Sequence, residues 1–251
     1  MFDSHAHYGD TAFDSDREEL LKSLFANGVS AVVEAGTDET TSLAARELAH
    51  RYENVYFVAG LHPEYAESAE NIPLWLPQIL KDEKCVGIGE IGLDYHYDTP
   101  ARDIQRKAFE LQLRLAEETG KPVVIHDREA HADCLDLVRA FPKVRGVFHS
   151  FSGSAETAKE LVSMGWYVSF SGVVTFKNAV KPVEAAQAVP IDRILTETDC
   201  PYLAPHPFRG KRNDSSYIRF ILEKLAQIKG VPYEDMESAT ERSARVFYGI
   251  A

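Results

Sequence analysis

The chain has 251 residues and a formal net charge of -12 at pH 7, with hydrophobic residues at 45% and charged residues at 26%. That composition belongs to a folded globular protein and excludes a disordered one. The acidity excludes a domain that coats nucleic acid through bulk positive charge, while leaving room for an enzyme that contacts a few phosphates.

The N-terminus carries Asp3, His5, His7 and Asp10 where a secretory signal needs a basic start and an apolar stretch. No run approaches membrane-spanning length. Cys85, Cys134 and Cys200 are odd in number and lack C-x-x-C spacing, so a zinc ribbon is excluded and reduced thiols in a cytoplasmic protein are expected.

In chain order, the strand-like "MFDSH" is followed by the helix-like "DREELLKSLFANG", the strand-like "SAVVEAG" and the helix-like "ETTSLAARELAHRY". Strand-like "VYFVAGLH" and "CVGIGEIG" come next, then helix-like "QRKAFELQLRLAEETG", strand-like "PVVIH" and "GVFHSF", helix-like "AETAKELVSMG", and strand-like "WYVSFSG" and "RILTETD". Asp16 followed by Glu19 resembles a capping box, and Gly28, Gly120 and Gly165 stand where helices should stop. Alternation of this kind implies parallel strands joined by helical crossovers, and about eight repeats in this length is the size of a (β/α)8 TIM barrel, an α/β fold. The competing architecture is a doubly wound open sheet. No G-x-G-x-x-G follows the first strand and no Pro-, Gly- or Ser-rich linker divides the chain, so residues 1–251 read as a single domain.

Residues i and i+2 of a strand share a face about 6.6 Å apart, so the imidazoles of His5 and His7 can converge on one ion. An isolated H-x-H is also what chance produces at a strand end. The other candidate ligands decide between these: Glu90 closes "VGIGE", His126 closes "PVVIH", His149 closes "GVFH" and Asp199 closes "ILTETD". In a barrel all these strand ends open onto one face, where active sites of this fold are built. Imidazole nitrogens with carboxylate oxygens suit zinc, manganese, nickel, cobalt or iron, and magnesium where water completes the shell. The set is too large for one tetrahedral ion. Two divalent ions fit better, one held by His5, His7 and Asp199 and the other by His126 and His149, with Glu90 bridging them and a water activated between them.

These residues lie within the segments "FDSHAH", "GLHPE", "GEIGLDYH", "QRKAFELQLRLAEETGKPVVIHDREA", "FHSFSGS" and "ILTETDCPYLAPHPFRGKRN". In order and spacing they resemble the motifs of the TatD-type metal-dependent deoxyribonuclease family, from Phe2 to about Asn213. The resemblance implies a TIM barrel of the metal-dependent hydrolase type, places that family's ligands on His5, His7, Glu90, His126, His149 and Asp199, and implies 3′-to-5′ exonuclease action on DNA. This chain departs from the family's usual pattern at Ser150, where cysteine is frequent, at Asp214 and Ser215, where Glu-Pro is usual, and at Ser243, where asparagine is common. The first departures bear on substrate preference, since residues after "RGKRN" could line the mouth of the site.

Among other residues, His62 in "GLHPE" is assigned to substrate contact or to support of the ligands, in preference to direct metal ligation, with a structural rim histidine as the alternative. Asp94 is expected to order the loop carrying Glu90. Arg128 is placed to reach a phosphate, against an exposed ion pair with Glu129. Cys200 reads as a small buried hydrophobe, His50 and His131 as solvent-facing, and His96 and His206 as rim-loop residues. "RGKRN" concentrates Arg209, Lys211 and Arg212 beyond the last strand, and Arg209 is assigned to substrate anchoring with the other two as further contacts. The expected function is therefore a two-metal phosphodiesterase (magnesium, manganese or zinc) acting on single-stranded DNA 3′ ends. Asp199 would serve as proton acceptor and Glu90 as catalytic bridge, with no membrane or stable protein partner. The alternatives are hydrolysis of another ester or amide, such as an aminoacyl-tRNA ester, a lactone or a small amide, and a metal-free binding scaffold.

Overall fold

The computed structural model describes residues 1–66, 71–97 and 99–251. Each of the eight apolar runs becomes a strand: β1 Phe2–Ala6, β2 Ala31–Ala35, β3 Val55–Ala59, β4 Cys85–Asp94, β5 Val123–Arg128, β6 Gly146–Phe148, β7 Tyr167–Phe170 and β8 Ile194–Thr196. They form one eight-stranded sheet in sequence order, and every laddered neighbour is parallel. Helices α1 Arg17–Ala26, α2 Glu39–Arg51, α3 Trp75–Ile79, α4 Arg102–Thr119, α5 His131–Arg139, α6 Ala155–Ser163, α7 Val180–Ala188 and α8 Ile218–Lys229 alternate with or follow the strands, and α9 Tyr233–Tyr248 ends the chain. This is the expected (β/α)8 TIM barrel.

Alternation along the strands sorts the core into two layers. Val32, Val55, Phe57, Ile88, Val123 and Ile125 join the larger cluster under the helices. Their neighbours Val33, Val58, Val124, Val147 and Leu195 point the other way, into the barrel. Helix α9 contributes Phe247 and Tyr248 to that inner cluster. Tyr248 stacks on Phe2, and Phe247 lies against Tyr167. Both partners are the first residues of their strands, so α9 covers the N-terminal end of the barrel and the opposite end is free for the site.

Among the described residues the seam between β8 and β1 has no ladder. It is closed instead at the site end by Asp199 N–H donating to His5 O at 3.0 Å and His7 N–H donating to Cys200 O at 2.8 Å. Ser4 Oγ adds a bond to Thr196 O at 2.9 Å. The backbone bonds that complete the barrel are therefore made by three of the expected ligands.

Two local expectations change. Glu90, His126 and Asp199 do not close their strands: β8 stops at Thr196, short of Asp199, whereas β4 runs on to Asp94 and β5 to Arg128, paired through Ile91 with Ile125 and Asp94 with Arg128. The register slips between Ile88 and Ile91, so a bulge at Gly89 and Glu90 re-aims the carboxylate while the ladder continues above it. Gly92, at φ 143°, makes this pairing possible, because a Cβ there would overlap the His126 carbonyl. The second change is at Asp16, which starts α1 without capping it. Its carboxylate instead accepts both guanidinium nitrogens of Arg212 at 2.7 and 2.6 Å. The capping box lies at α2, where Asp38 and Thr41 bond reciprocally.

Candidate metal centre

All six expected ligands come together at the C-terminal end of the barrel, in a cleft of about 830 Å³ whose lining includes His7, Glu90, His126, His149 and Asp199. His5 lies just beneath, buried, its ring stacked on that of His149. The two carboxylate oxygens of Glu90 face different partners. Oε2 is 3.4 Å from His5 Nε2 and 3.7 Å from His7 Nε2. Oε1 is 2.7 Å from both His126 Nδ1 and His149 Nε2. Asp199 Oδ1 completes the first group at 3.3 Å from His7 Nε2 and 3.7 Å from His5 Nε2.

The donor set and its spacing fit a divalent cation. Ligand atoms about 2.1 Å from one ion stand roughly 3.0–3.4 Å from each other. His5 Nε2 and His7 Nε2 are 3.1 Å apart, and His126 Nδ1 and His149 Nε2 are 3.3 Å apart. Among the described residues, three groupings of ligand atoms are compact enough to hold an ion: His5, His7 and Glu90; His62, Glu90 and His126; and His5, His149 and Glu197. Electrostatics agree. Burial opposes a charge on His126, but the bonds to Asp94 and Glu90 outweigh it and lift the imidazole to about 9. His7 reaches about 9 in the same way through Asp199. Burial would raise the Glu90 carboxyl, yet the His149 and His5 imidazoles hold it well below the usual carboxylate range. Asp199 is lowered too, against burial, by its bond to His7. The carboxylates thus favour positive charge on His7, His126 and His149.

Neighbouring side chains fix these histidines. His126 Nε2 faces Asp94 Oδ2 at 3.1 Å, which turns Nδ1 inward. Asp94 also accepts from His96 N–H, so it steers His126 as well as shaping the turn after β4. Glu197 does the same for His149, with Nδ1 at 3.1 Å, and accepts from Ser150 N–H at 2.7 Å. Glu34 accepts from Tyr8 and Gly9 N–H, pinning the loop behind His7. Burial pushes its carboxyl up to about 7. Asp3 accepts from Thr198 N–H at 2.9 Å and from Thr198 Oγ1 and Ser215 Oγ at 2.6 Å each. Ser215, expected near the mouth, therefore lies buried below the site. Glu34, Glu197 and Asp3 were not singled out from sequence. The signal was a charge inside or beside an apolar strand run, which must find partners when buried.

The remaining candidates separate. His62 lines the cleft with Nε2 3.8 Å from Glu90 Oε1. Its Nδ1 accepts from Glu64 N–H. Burial, then the charge of His126, pushes it down to about 3, so it is neutral. Arg128 lines the cleft, its Nη1 4.0 Å from Asp94 Oδ2, whereas Glu129 pairs with His96. Arg209 is not among the cleft-lining residues; its guanidinium lies 4.1 Å over the Phe176 ring. Lys211 lies over Phe208, and Arg212 is committed to Asp16 and Ala12 O. Cys200 is buried and free. His50 faces Asp82 and His131 faces Asp127, outside the cleft lining.

Comparison with known proteins agrees with this geometry. The family model described as "TatD related DNase" matches residues 2–249. The uncharacterized metal-dependent hydrolase YabD of Bacillus subtilis (strain 168) is 41% identical over 253 residues, covering 100% of this chain and 99% of that protein. A Pantoea vagans (strain C9-1) protein named 3′-5′ ssDNA/RNA exonuclease TatD is 32% identical over 260 residues, covering 100% of both. Among solved structures, YJJV, a TatD homolog from Escherichia coli k12, superposes with a TM-score of 0.91 at 25% identity, covering 100% of this chain and 98% of that one. A barrel whose strand ends gather this histidine and carboxylate set, matched by one family model along almost its whole length, belongs to the TatD-related family of metal-dependent hydrolases.

Proposed function

We propose that residues 1–251 act as a single hydrolase domain, a phosphodiesterase that removes nucleotides from the 3′ ends of single-stranded DNA with two divalent ions. The observation that carries the two-ion reading is the division of Glu90: one oxygen faces His5 and His7, the other His126 and His149. His5, His7 and Asp199 would hold one ion, His126 and His149 the other, and Glu90 both. Bound there, magnesium, manganese or zinc supplies Lewis-acid stabilisation of phosphoryl charge and lowers the pKa of water.

The chain's own residues do the rest. Asp199 is held ionised and lines the cleft, so its carboxylate can take a proton from water and return one to the leaving alkoxide. Neutral His62, with Nδ1 occupied by the Glu64 N–H, carries its proton on Nε2 and donates to a substrate oxygen. Arg128 reaches a phosphate oxygen from the cleft wall, and Arg209 contacts the strand farther from the scissile bond. The name of the Pantoea vagans relative supports a nucleic-acid substrate. Three buried unpaired cysteines support a reducing, cytoplasmic location, and among the described residues no helix is long and apolar enough to cross a membrane.

The test is a substrate panel with magnesium, manganese and zinc. Mononucleotide release from single-stranded 3′ ends, abolished by chelator, is expected, and Arg209→Ala should raise KM. Failure to cleave any DNA with any of the ions would overturn the nuclease reading in favour of another ester or amide.

A further inference from the structure

Seven large apolar side chains stand exposed among the described residues. Leu43, Leu74, Val180 and Val246 are aliphatic and lie outside the cleft lining; Tyr65, Tyr97 and Tyr202, 50%, 60% and 54% exposed, all belong to it. Scattered exposed hydrophobes need no explanation, but three aromatic rings at the mouth of one cleft do. Each stands beside a different part of the site. Tyr65, in the turn after β3, has its ring 6.3 Å from that of His62. Tyr202, just past β8, has its ring 6.3 Å from that of His7 and its hydroxyl donates to Asp10 at 2.8 Å. Tyr97, after β4, has the Arg128 guanidinium 5.1 Å from its centroid. Among the described residues, no hydroxyl of the three is hydrogen-bonded to a histidine or carboxylate of the cluster; that of Tyr202 goes to Asp10.

We propose that Tyr65, Tyr97 and Tyr202 form a stacking rim for the unpaired nucleobases next to the scissile phosphate. The inference rests on the phosphodiesterase reading and specifies its substrate. A ligand for this mouth must bring an anion to Arg128 and the histidine–carboxylate cluster, and flat faces to the tyrosines. A nucleotide end brings both. Every base has a π face, so recognition by stacking tolerates any sequence, and it requires bases already free of a partner strand. The rim therefore selects single-stranded or frayed ends bearing bases, and does so without reading the sugar.

The experiment compares a single-stranded oligodeoxynucleotide with the same strand carrying abasic sugars at its 3′ end. Wild-type protein should favour the base-bearing end by roughly fivefold or more in kcat/KM. Tyr65→Ala, Tyr97→Ala and Tyr202→Ala should each narrow that preference, whereas the phenylalanine variants, which keep the ring, should retain it. Binding of a strand ending in 2-aminopurine gives a second readout, since stacking quenches its fluorescence, and the alanine variants should quench less. Equal kcat/KM on the two ends, or quenching unchanged in the alanine variants, would overturn the rim. Quenching without cleavage would keep the rim and remove the exonuclease assignment, and absence of both would remove both.

Discussion

At the scale of single residues, the site depends on where each carboxylate oxygen points. Glu90→Gln keeps the size and the bulge of β4 but replaces one of the two oxygens with a donor, which faces an imidazole nitrogen or a cation whichever way the amide turns. Metal content should fall below that of the wild type and activity by at least about a hundredfold, with an unchanged circular dichroism spectrum; elemental analysis of the purified variant checks it. Wild-type turnover at wild-type metal content would remove Glu90 from its bridging position. Asp199→Asn differs in kind. The amide cannot take a proton, so the loss, about 10²–10⁴-fold, should fall on kcat with KM little changed. A normal kcat with a raised KM would assign Asp199 to binding alone.

At the scale of elements, the segment after β8 shows what charge patterning conceals. From sequence, "RGKRN" reads as a basic patch, and its cations were expected at substrate. In the fold the buried member, Asn213, has the firmest role: its Nδ2 donates to Thr198 O at 2.8 Å and Tyr202 O at 2.7 Å. Those carbonyls bracket Asp199, which sits at φ 57°, a left-handed position that aspartate tolerates better than most residues. Asn213→Ala leaves both carbonyls short of a donor, costing about 1–3 kcal/mol of stability. Activity assayed well below the melting temperature should still fall about tenfold or more, because a loosened turn misplaces Asp199. Arg212→Ala removes a partly exposed pair with Asp16 and should change stability by no more than about 1 kcal/mol and KM on DNA hardly at all. A larger KM effect in Arg212→Ala than in Arg128→Ala would show that the guanidinium leaves Asp16 for the substrate. The strands, and the six histidines and carboxylates that the fold brings together, were legible in the sequence because a polar side chain interrupting an apolar run is a local signal. The continuation of β4 and β5 past Glu90 and His126 was not, since it follows from cross-strand pairing and a bulge. Nor was the loss of the Asp16 cap, whose carboxylate is taken by a residue 196 positions away. Glu34 and Glu197 escaped for a related reason: alternation along a strand explains a charged residue as solvent-facing until the barrel closes over it.

At the scale of the whole molecule, charge governs both stability and substrate access. Buried or half-buried Glu34, Glu90, Asp94, Glu197 and Asp199 share one end of a barrel whose net charge is already -12. Divalent ions bound only by the folded state should therefore stabilise it, by about 2.7 kcal/mol at a hundred times Kd. For a chain of this size that raises the melting temperature by roughly 5–10 °C over the chelated protein. A melting temperature indifferent to chelator and to added metal would count against resident ions, whatever the activity. The same acidity repels a polyanion at long range, so on the proposed reading a DNA strand must be held by the site itself and a few cations near it. If Arg128 and Arg209 make the phosphate contacts proposed for them, about two in all, the slope of log affinity against log salt for a single strand should be only about -1.4. Between 50 and 200 mM salt, kcat/KM should then fall by less than about tenfold, far less than for proteins that grip many phosphates. Shallow salt dependence and a terminus threaded into one cleft belong together: an enzyme with so few contacts cannot hold the middle of a strand against diffusion, but it can hold an end whose last phosphate enters the histidine–carboxylate cluster. Circular single strands should accordingly resist cleavage under conditions that digest the same sequence when linear. Cutting of the circle at a comparable rate, or a salt slope steeper than about -4, would mean that the strand is gripped along its length by a surface other than this cleft.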